Sequence, residues 1–235
     1  GLSPEVEETD PQVTGKKPLP PVARTKEAEK TASVIARFIE MAREVLKDEE
    51  RANMVLMRGI SRKPKIESFE ERTGMTAAAI ASYPLYRGVA HLVGMELLDT
   101  GFEIEEEFTT LKEAYNSGNF DFFFIHIKKT DSYGEDGNIE GKVKIIEEVD
   151  RFIPEALSLN PDVIMVTGDH STPCALKSHS WHPVPFMIRG TSCFPDEALA
   201  FNEIECRKGA LGIFPAQKII ELALANSGKL KKYGA

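Results

Sequence analysis

Two runs limit the fold of this chain more than anything else in it: FDFFFIHIK, residues 120–128, and DVIMVTGD, residues 162–169. Neither alternates apolar with polar positions along its centre, so a strand formed there has no face to turn to water. Each must lie in a sheet covered on both sides. Between them NIEGKVKIIEEVDRFIPEAL repeats its apolar residues at helical spacing, with Pro154 expected to interrupt the helix late. The same alternation continues on either side. TAAAIAS and VPFMIRG read as strands, and PLYRGVAHLVGM as a helix with Pro84 in its first turn. FTTLKEAYNSG ends a helix at Gly118, and PAQKIIELALANSG closes the series between Pro215 and Gly228. Strands separated by helices give a layered α/β fold, whose ligands collect outside the carboxyl ends of the strands.

The first part of the chain has a different texture. From Thr25, the pairs Val34/Ile35, Phe38/Ile39 and Val45/Leu46, with Ala42 between, predict a helix of more than about twenty residues with one apolar face. The proline-rich GKKPLPPVA before it reads as a connector, and NMVLMRG as a short strand ended by Gly59. GLSPEVEETDPQ is acidic and turn-forming, and reads as the interior of something longer.

Composition narrows the function classes. A net charge of −8 argues against non-specific nucleic-acid binding, which needs a basic face. No apolar run reaches the length of a membrane span and no signal-peptide pattern opens the chain, so a cytoplasmic protein without membrane partners is expected. Cys174, Cys193 and Cys206 lack any close spacing, which suits reduced thiols better than disulfides or a thiolate zinc site. Two glutamines beside abundant Glu and Lys give a thermophile-like bias.

Two polar loops follow the buried strands. KKTDSYGEDG presents Asp131 and Glu135 with Asp136 beside them, and GDHSTP presents Asp169 and His170, with His179 and His182 farther along. Carboxylate oxygen together with imidazole nitrogen suits zinc, manganese or iron better than calcium. An ordinary loop would use Asp169 as a helix cap and leave His179 and His182 on the surface. Two ligand-rich loops at neighbouring strand ends favour a metal. Nucleophilic-hydrolase chemistry fits less well, because no G-x-S-x-G elbow surrounds Ser171, and RKGALGIFP lacks the phosphate-loop spacing. Met41, Met54, Met57, Met95, His91 and Trp181 read as packing residues.

FFFIHIKKTDSYGEDGNIEGKVKIIEEVD, VTGDHSTPCALKSHSWHPVP and ASYPLYRGVAHLVGM together resemble the archaeal-type cofactor-independent phosphoglycerate mutases of the alkaline phosphatase superfamily. LSPEVEETDPQ and NMVLMRG are similar to further segments of that family, so the resemblance covers nearly the whole chain. It implies an alkaline-phosphatase-like layered α/β metal domain, here partial, with part of an inserted α/β substrate domain. It also implies interconversion of 2- and 3-phosphoglycerate through a phosphoserine and two divalent ions, manganese or zinc, without 2,3-bisphosphoglycerate, in glycolysis and gluconeogenesis.

Under that resemblance Asp131 and His179 match ligands of one ion, and Asp169 and His170 match ligands of the other. Glu135 stands where the family has histidine, and His182 is a bystander or supports a ligand. Arg58 and Lys128, or Lys129, are the substrate-binding candidates, and Arg87 is placed to steer the transferring phosphate. The nucleophilic serine and one aspartate are expected in an N-terminal segment missing here. Residues 1–70 would then be the later part of the inserted domain and 71–235 the returning part of the metal domain, inactive without the missing segment, with a homo-oligomer left open. The competing expectations are a non-catalytic fragment or subunit, and a metal-dependent phosphatase or phosphonate-processing relative.

Overall fold

The structure, a computed structural model, describes residues 1–230. The described residues divide into two compact units, 1–65 and 66–230.

The first unit is built around α1 (Glu29–Val45), entered through a single 3-10 turn at Lys26–Ala28. Ala28, Ala32, Ile35 and Ile39 pack with Val6, and Met54, Val55, Met57 and Ile60 close over them. Of each apolar pair read from the sequence, only the second member of the first two pairs is buried, while Val34, Phe38 and Val45 are exposed. The helix is also shorter than expected, at 17 residues. Asp48, Glu49 and Glu50 follow its carboxyl end, where negative charge opposes the helix dipole. NMVLMRG forms no strand, contrary to expectation. The fully buried Thr9 takes the place of a ladder: its N–H donates to Met57 O at 3.0 Å, and its hydroxyl accepts from Met57 N at 2.7 Å.

In the second unit a capping box at Ser68 starts the short helix α2 (Phe69–Thr73), which Gly74 ends in the left-handed region. A parallel sheet has β1 (Ala77–Ala81) at its centre, flanked by β2 (Glu96–Leu98) and β3 (Phe122–His126). Ala79 lies opposite Leu97 on one side and Phe124 on the other. Every residue of β1 is buried, and its alanines let the neighbouring layers approach closely. The crossovers are α3 (Pro84–Leu92), with Pro84 at its first position, and α4 (Ile104–Ser117), ended by Gly118 at φ 69°. Ile80, Ile104, Phe108, Leu111, Ile145 and Ala156 form the core, joined by Phe123, Ile125, Phe152 and Ile164.

Three expectations are corrected here. KKTDSYGEDG is not a loop: Lys129–Asp136 form a helix, α5, ended by Gly137 at φ 72°. Pro154 does not interrupt α6 (Ile139–Ser158), which runs through it. Pro154 and Asp150 both face solvent, so the carbonyl orphaned by the missing N–H can be hydrated. Finally, β4 (Val163–Thr167) does not hydrogen-bond to β3. It pairs antiparallel with β5 (Phe186–Gly190), Met165 opposite Ile188, and both are only half buried. A closing helix, α7 (Ile219–Asn226), follows a 3-10 turn at Ala216–Lys218.

Candidate metal centre

The candidate ligands come together because two backbone devices aim them. Helix α5 follows the end of β3 and sets Asp131 and Glu135 one turn apart on a single face. The turn after β4 carries Asp169 and His170, and the chain then doubles back. Ser180 N donates to Ser171 O at 2.8 Å, an isolated antiparallel bridge that brings His179 beside His170. The two imidazoles stack with centroids 3.8 Å apart.

One donor atom from each of Asp131, His170 and His179 lies within 4.8 Å of the others. His179 Nε2 is 3.6 Å from Asp131 Oδ1 and 3.7 Å from Glu135 Oε1, and His170 Nε2 is 3.4 Å from Asp169 Oδ2. These separations exceed an ordinary N–H···O hydrogen bond. Two ligands of a tetrahedral ion with bonds of about 2 Å lie roughly 3.3 Å apart, so the donors are spaced as an ion between them requires.

The carboxylates are kept charged by their donors. Burial pushes the Asp131 carboxyl up, but hydrogen bonds from Lys128 and Thr172 outweigh it and hold it below the ordinary carboxylate range. Burial likewise opposes ionisation of Asp169, and the Tyr86 hydroxyl with nearby His170 reverses the balance. Burial pushes the Tyr86 phenol up, and its contact with Asp169 adds to this, so it is a hydrogen donor at neutral pH.

A family model for the metalloenzyme superfamily matches residues 49–226. The chain belongs to the metalloenzyme superfamily. It is 52% identical over 231 residues to a probable 2,3-bisphosphoglycerate-independent phosphoglycerate mutase of Aquifex aeolicus, covering 98% of this chain and 56% of the relative. A protein of the same description from Thermotoga maritima is 49% identical, with 100% of this chain and 58% of the relative covered. The chain thus spans little more than half the length of the curated relatives it matches. Among solved structures, the PH0037 protein from Pyrococcus horikoshii superposes with a TM-score of 0.77 at 32% identity, covering 89% of this chain and 60% of that one. A cofactor-independent phosphoglycerate mutase from Thermoplasma acidophilum shares the fold, with a TM-score of 0.62 at 23% identity, covering 97% of this chain and 60% of that one. The layered, alkaline-phosphatase-like α/β architecture expected from the sequence is therefore that of this superfamily.

The donor chemistry of the cluster suits the divalent ion that the metalloenzyme superfamily implies. Asp131, His170 and His179 are the residues that could hold such an ion, and Glu135 lies 3.7 Å from His179 and Asp169 3.4 Å from His170. Lys128 also reaches the cluster, with its ammonium bonded to Asp131 and 5.0 Å from the Tyr83 ring centroid. Lys129 instead donates to Glu103 at 2.9 Å. Arg87 is not directed at these groups. Its guanidinium donates to Ala81 O at 3.2 Å, Leu98 O at 3.1 Å and Asp99 Oδ1 at 3.1 Å, so it staples the ends of β1 and β2. Arg58 lies in the first unit, exposed, 3.6 Å from Asp10 and 3.9 Å from Glu8. His182 pairs with Ser180 Oγ at 2.8 Å and stacks on Trp181, which is 86% exposed rather than packed.

Reading the residues in order missed three groups. Tyr86, beside Arg87, contacts Asp169 and stacks on His126 with centroids 3.5 Å apart. His126, the last residue of β3, has Nδ1 buried without a hydrogen-bond partner, and burial lowers its pKa. Thr172 sits inside the DHSTP run, and only its neighbours in space reveal what it holds.

Proposed function

We propose that this chain is a large part of a cofactor-independent phosphoglycerate mutase, and that its second unit is the metal-binding part. The observation that carries the reading is the convergence of Asp131, His170 and His179 in a chain about half identical, over its whole length, to probable mutases. In this reading residues 1–70 contribute to a substrate-clamping domain and residues 71–235 to the metal domain. The serine that carries the phosphoryl group then lies in the portion of the relatives that this chain does not span.

Two divalent ions, manganese or zinc, would stabilise the attacking and leaving oxygens of the transferring phosphoryl group. Asp131, His179 and Glu135 would hold one, and Asp169 and His170 the other. Lys128 brings positive charge to the Asp131 edge and is assigned to the phosphate. Arg58, whose long ion pairs leave its guanidinium exposed, is assigned to phosphoglycerate binding. Arg87, engaged with two carbonyls, orders the strand ends beside Tyr86 and Asp169 instead of steering phosphate. Glycolysis and gluconeogenesis in the cytoplasm of a thermophile is the setting proposed, in keeping with three free cysteines and thermophilic relatives.

The test joins this chain to the preceding portion of the Aquifex relative and supplies 3-phosphoglycerate with manganese. Formation of 2-phosphoglycerate is the expected result. Release of inorganic phosphate without isomerisation would instead assign a phosphatase, and neither product would overturn the reading.

A further inference from the structure

We propose that Thr172 is a positioning residue that selects Nε2 of His170 as the nitrogen offered to a metal ion, and that its hydroxyl couples the two halves of the centre. The inference rests on the metal reading above and deepens it, by naming the ligand atom and what fixes it.

Thr172 is only 3% exposed. Its Oγ1 lies 2.5 Å from Asp131 Oδ1 and 3.0 Å from His170 Nδ1, so both neighbours compete for one hydroxyl. That hydroxyl has a single hydrogen to donate and lone pairs with which to accept. Asp131 is an ionised carboxylate and can only accept, so the hydrogen goes to Asp131. Thr172 then presents only lone pairs to His170, and the contact holds if Nδ1 brings the hydrogen. A neutral imidazole with hydrogen on Nδ1 has its free lone pair on Nε2. That Nε2 faces Asp169 Oδ2, which also accepts from the Tyr86 hydroxyl, at 3.4 Å with no hydrogen to place between them, so its lone pair is free for a cation between the two.

This logic separates the ligands. Nδ1 of His170 is 3.9 Å from Asp131 Oδ1, but a nitrogen that carries hydrogen cannot ligate there. His170 therefore serves the Asp169 side, while His179, 3.6 Å from Asp131, serves the other. One hydroxyl nonetheless spans the two sides, because it touches a ligand from each.

The position of Thr172 is independently constrained. Lys142 Nζ donates to its carbonyl oxygen at 2.7 Å. Helix α5 packs directly on the same residue: a Cβ added at Gly134 would lie 2.3 Å from Thr172 O and 2.9 Å from its Cγ2. Glycine at 134, in the middle of a helix where it lowers stability, is what lets α5 bring Asp131 within reach of the hydroxyl.

The test uses the full chain, metal-free and labelled with 15N-histidine, above about pH 8, where an ordinary imidazole is neutral. Two-bond 1H–15N correlations, assigned with His170→Asn, report which nitrogen carries hydrogen. Hydrogen on Nδ1 of His170 is expected in the parent chain and in Thr172→Ser. Thr172→Val should move it to Nε2. In the same variant Zn(II), titrated against a chromophoric chelator, should bind about 10–100-fold more weakly, with Thr172→Ser close to the parent. Hydrogen on Nε2 in the parent overturns the proposal, as does a Thr172→Val chain with unchanged tautomer and zinc affinity. If Thr172→Val does not fold, the parent spectrum decides alone. Failure of the parent to bind zinc would remove the metal reading, while the tautomer result would still judge the role of Thr172.

Discussion

Two carboxylates near the ends of the parallel strands meet opposite fates. Glu107 on α4 is 3% exposed, and burial pushes its carboxyl up to about 7 against partial relief from Ser82 and Lys129. Asp131 on α5 is also partly buried, yet Lys128 and Thr172 hold it below the ordinary carboxylate range. The difference lies in the donors. Lys128 and Thr172 both hydrogen-bond the Asp131 carboxylate and outweigh its burial, whereas Glu107, more deeply buried, has a hydrogen bond with Ser82 and only a coulombic pull from Lys129, which do not. The first arrangement suits a ligand, and the second suits a structural hydrogen bond that stiffens the turn after β1.

Removing the ligand should have the largest effect. Asp131→Ala or His179→Ala should weaken zinc or manganese affinity by more than the roughly 10–100-fold expected when only a supporting hydrogen bond is lost, and so lower the metal content found by elemental analysis. Unchanged stoichiometry would erase the contrast with Glu107.

Next comes pH. Glu107 has a folded pKa of about 7, above its ordinary value near 4.5. Its contribution to stability is therefore fully present below about pH 4.5, falls as pH rises through about 7, and stays lost above it. The loss is on the order of 3 kcal/mol. Lys129, whose pKa is raised by its hydrogen bond to Glu103, stays charged throughout that window and pulls the Glu107 carboxyl the other way. Glu107→Gln should flatten the difference in urea midpoint between about pH 5 and about pH 8. Equal pH slopes in the two chains would show that Glu107 is not the buried acid described.

Gly134→Ala should cost about 1–3 kcal/mol by overpacking against Thr172, and should weaken zinc binding as well, because Asp131 moves with α5. A variant that loses stability but keeps zinc affinity would separate the packing of α5 from the positioning of its carboxylate. The smallest effect is expected from Arg87→Lys. Losing the Nη1 bridge between Ala81 O and Leu98 O, with the Nη2 bond to Asp99, should cost about 1 kcal/mol in urea unfolding and leave zinc stoichiometry unchanged. Loss of zinc there would return Arg87 to the centre.

Much of this molecule is legible residue by residue. The apolar runs at 122–126 and 163–167 are strands, and Pro84 and Gly118 bound helices as their backbone chemistry requires. Two misreadings turn on tertiary contacts. KKTDSYGEDG holds a glycine and several polar residues of modest helix propensity, which locally describe a loop. In the fold it is a helix, and Gly134 lets the Thr172 backbone pack against it. For Arg87, the sequence could not show that its guanidinium hydrogen-bonds two carbonyls 3.1–3.2 Å away.

The order and chemistry of the residues alone determined the layered α/β class and the set of carboxylates and imidazoles able to bind a metal, because periodicity and donor type are local properties. Which of those groups face one another, which histidine nitrogen is left with its lone pair, and which carboxylate keeps its charge were decided only in the folded chain. Those outcomes depend on contacts between residues 41 positions apart, as Asp131 and Thr172 are, and on the water that such contacts exclude.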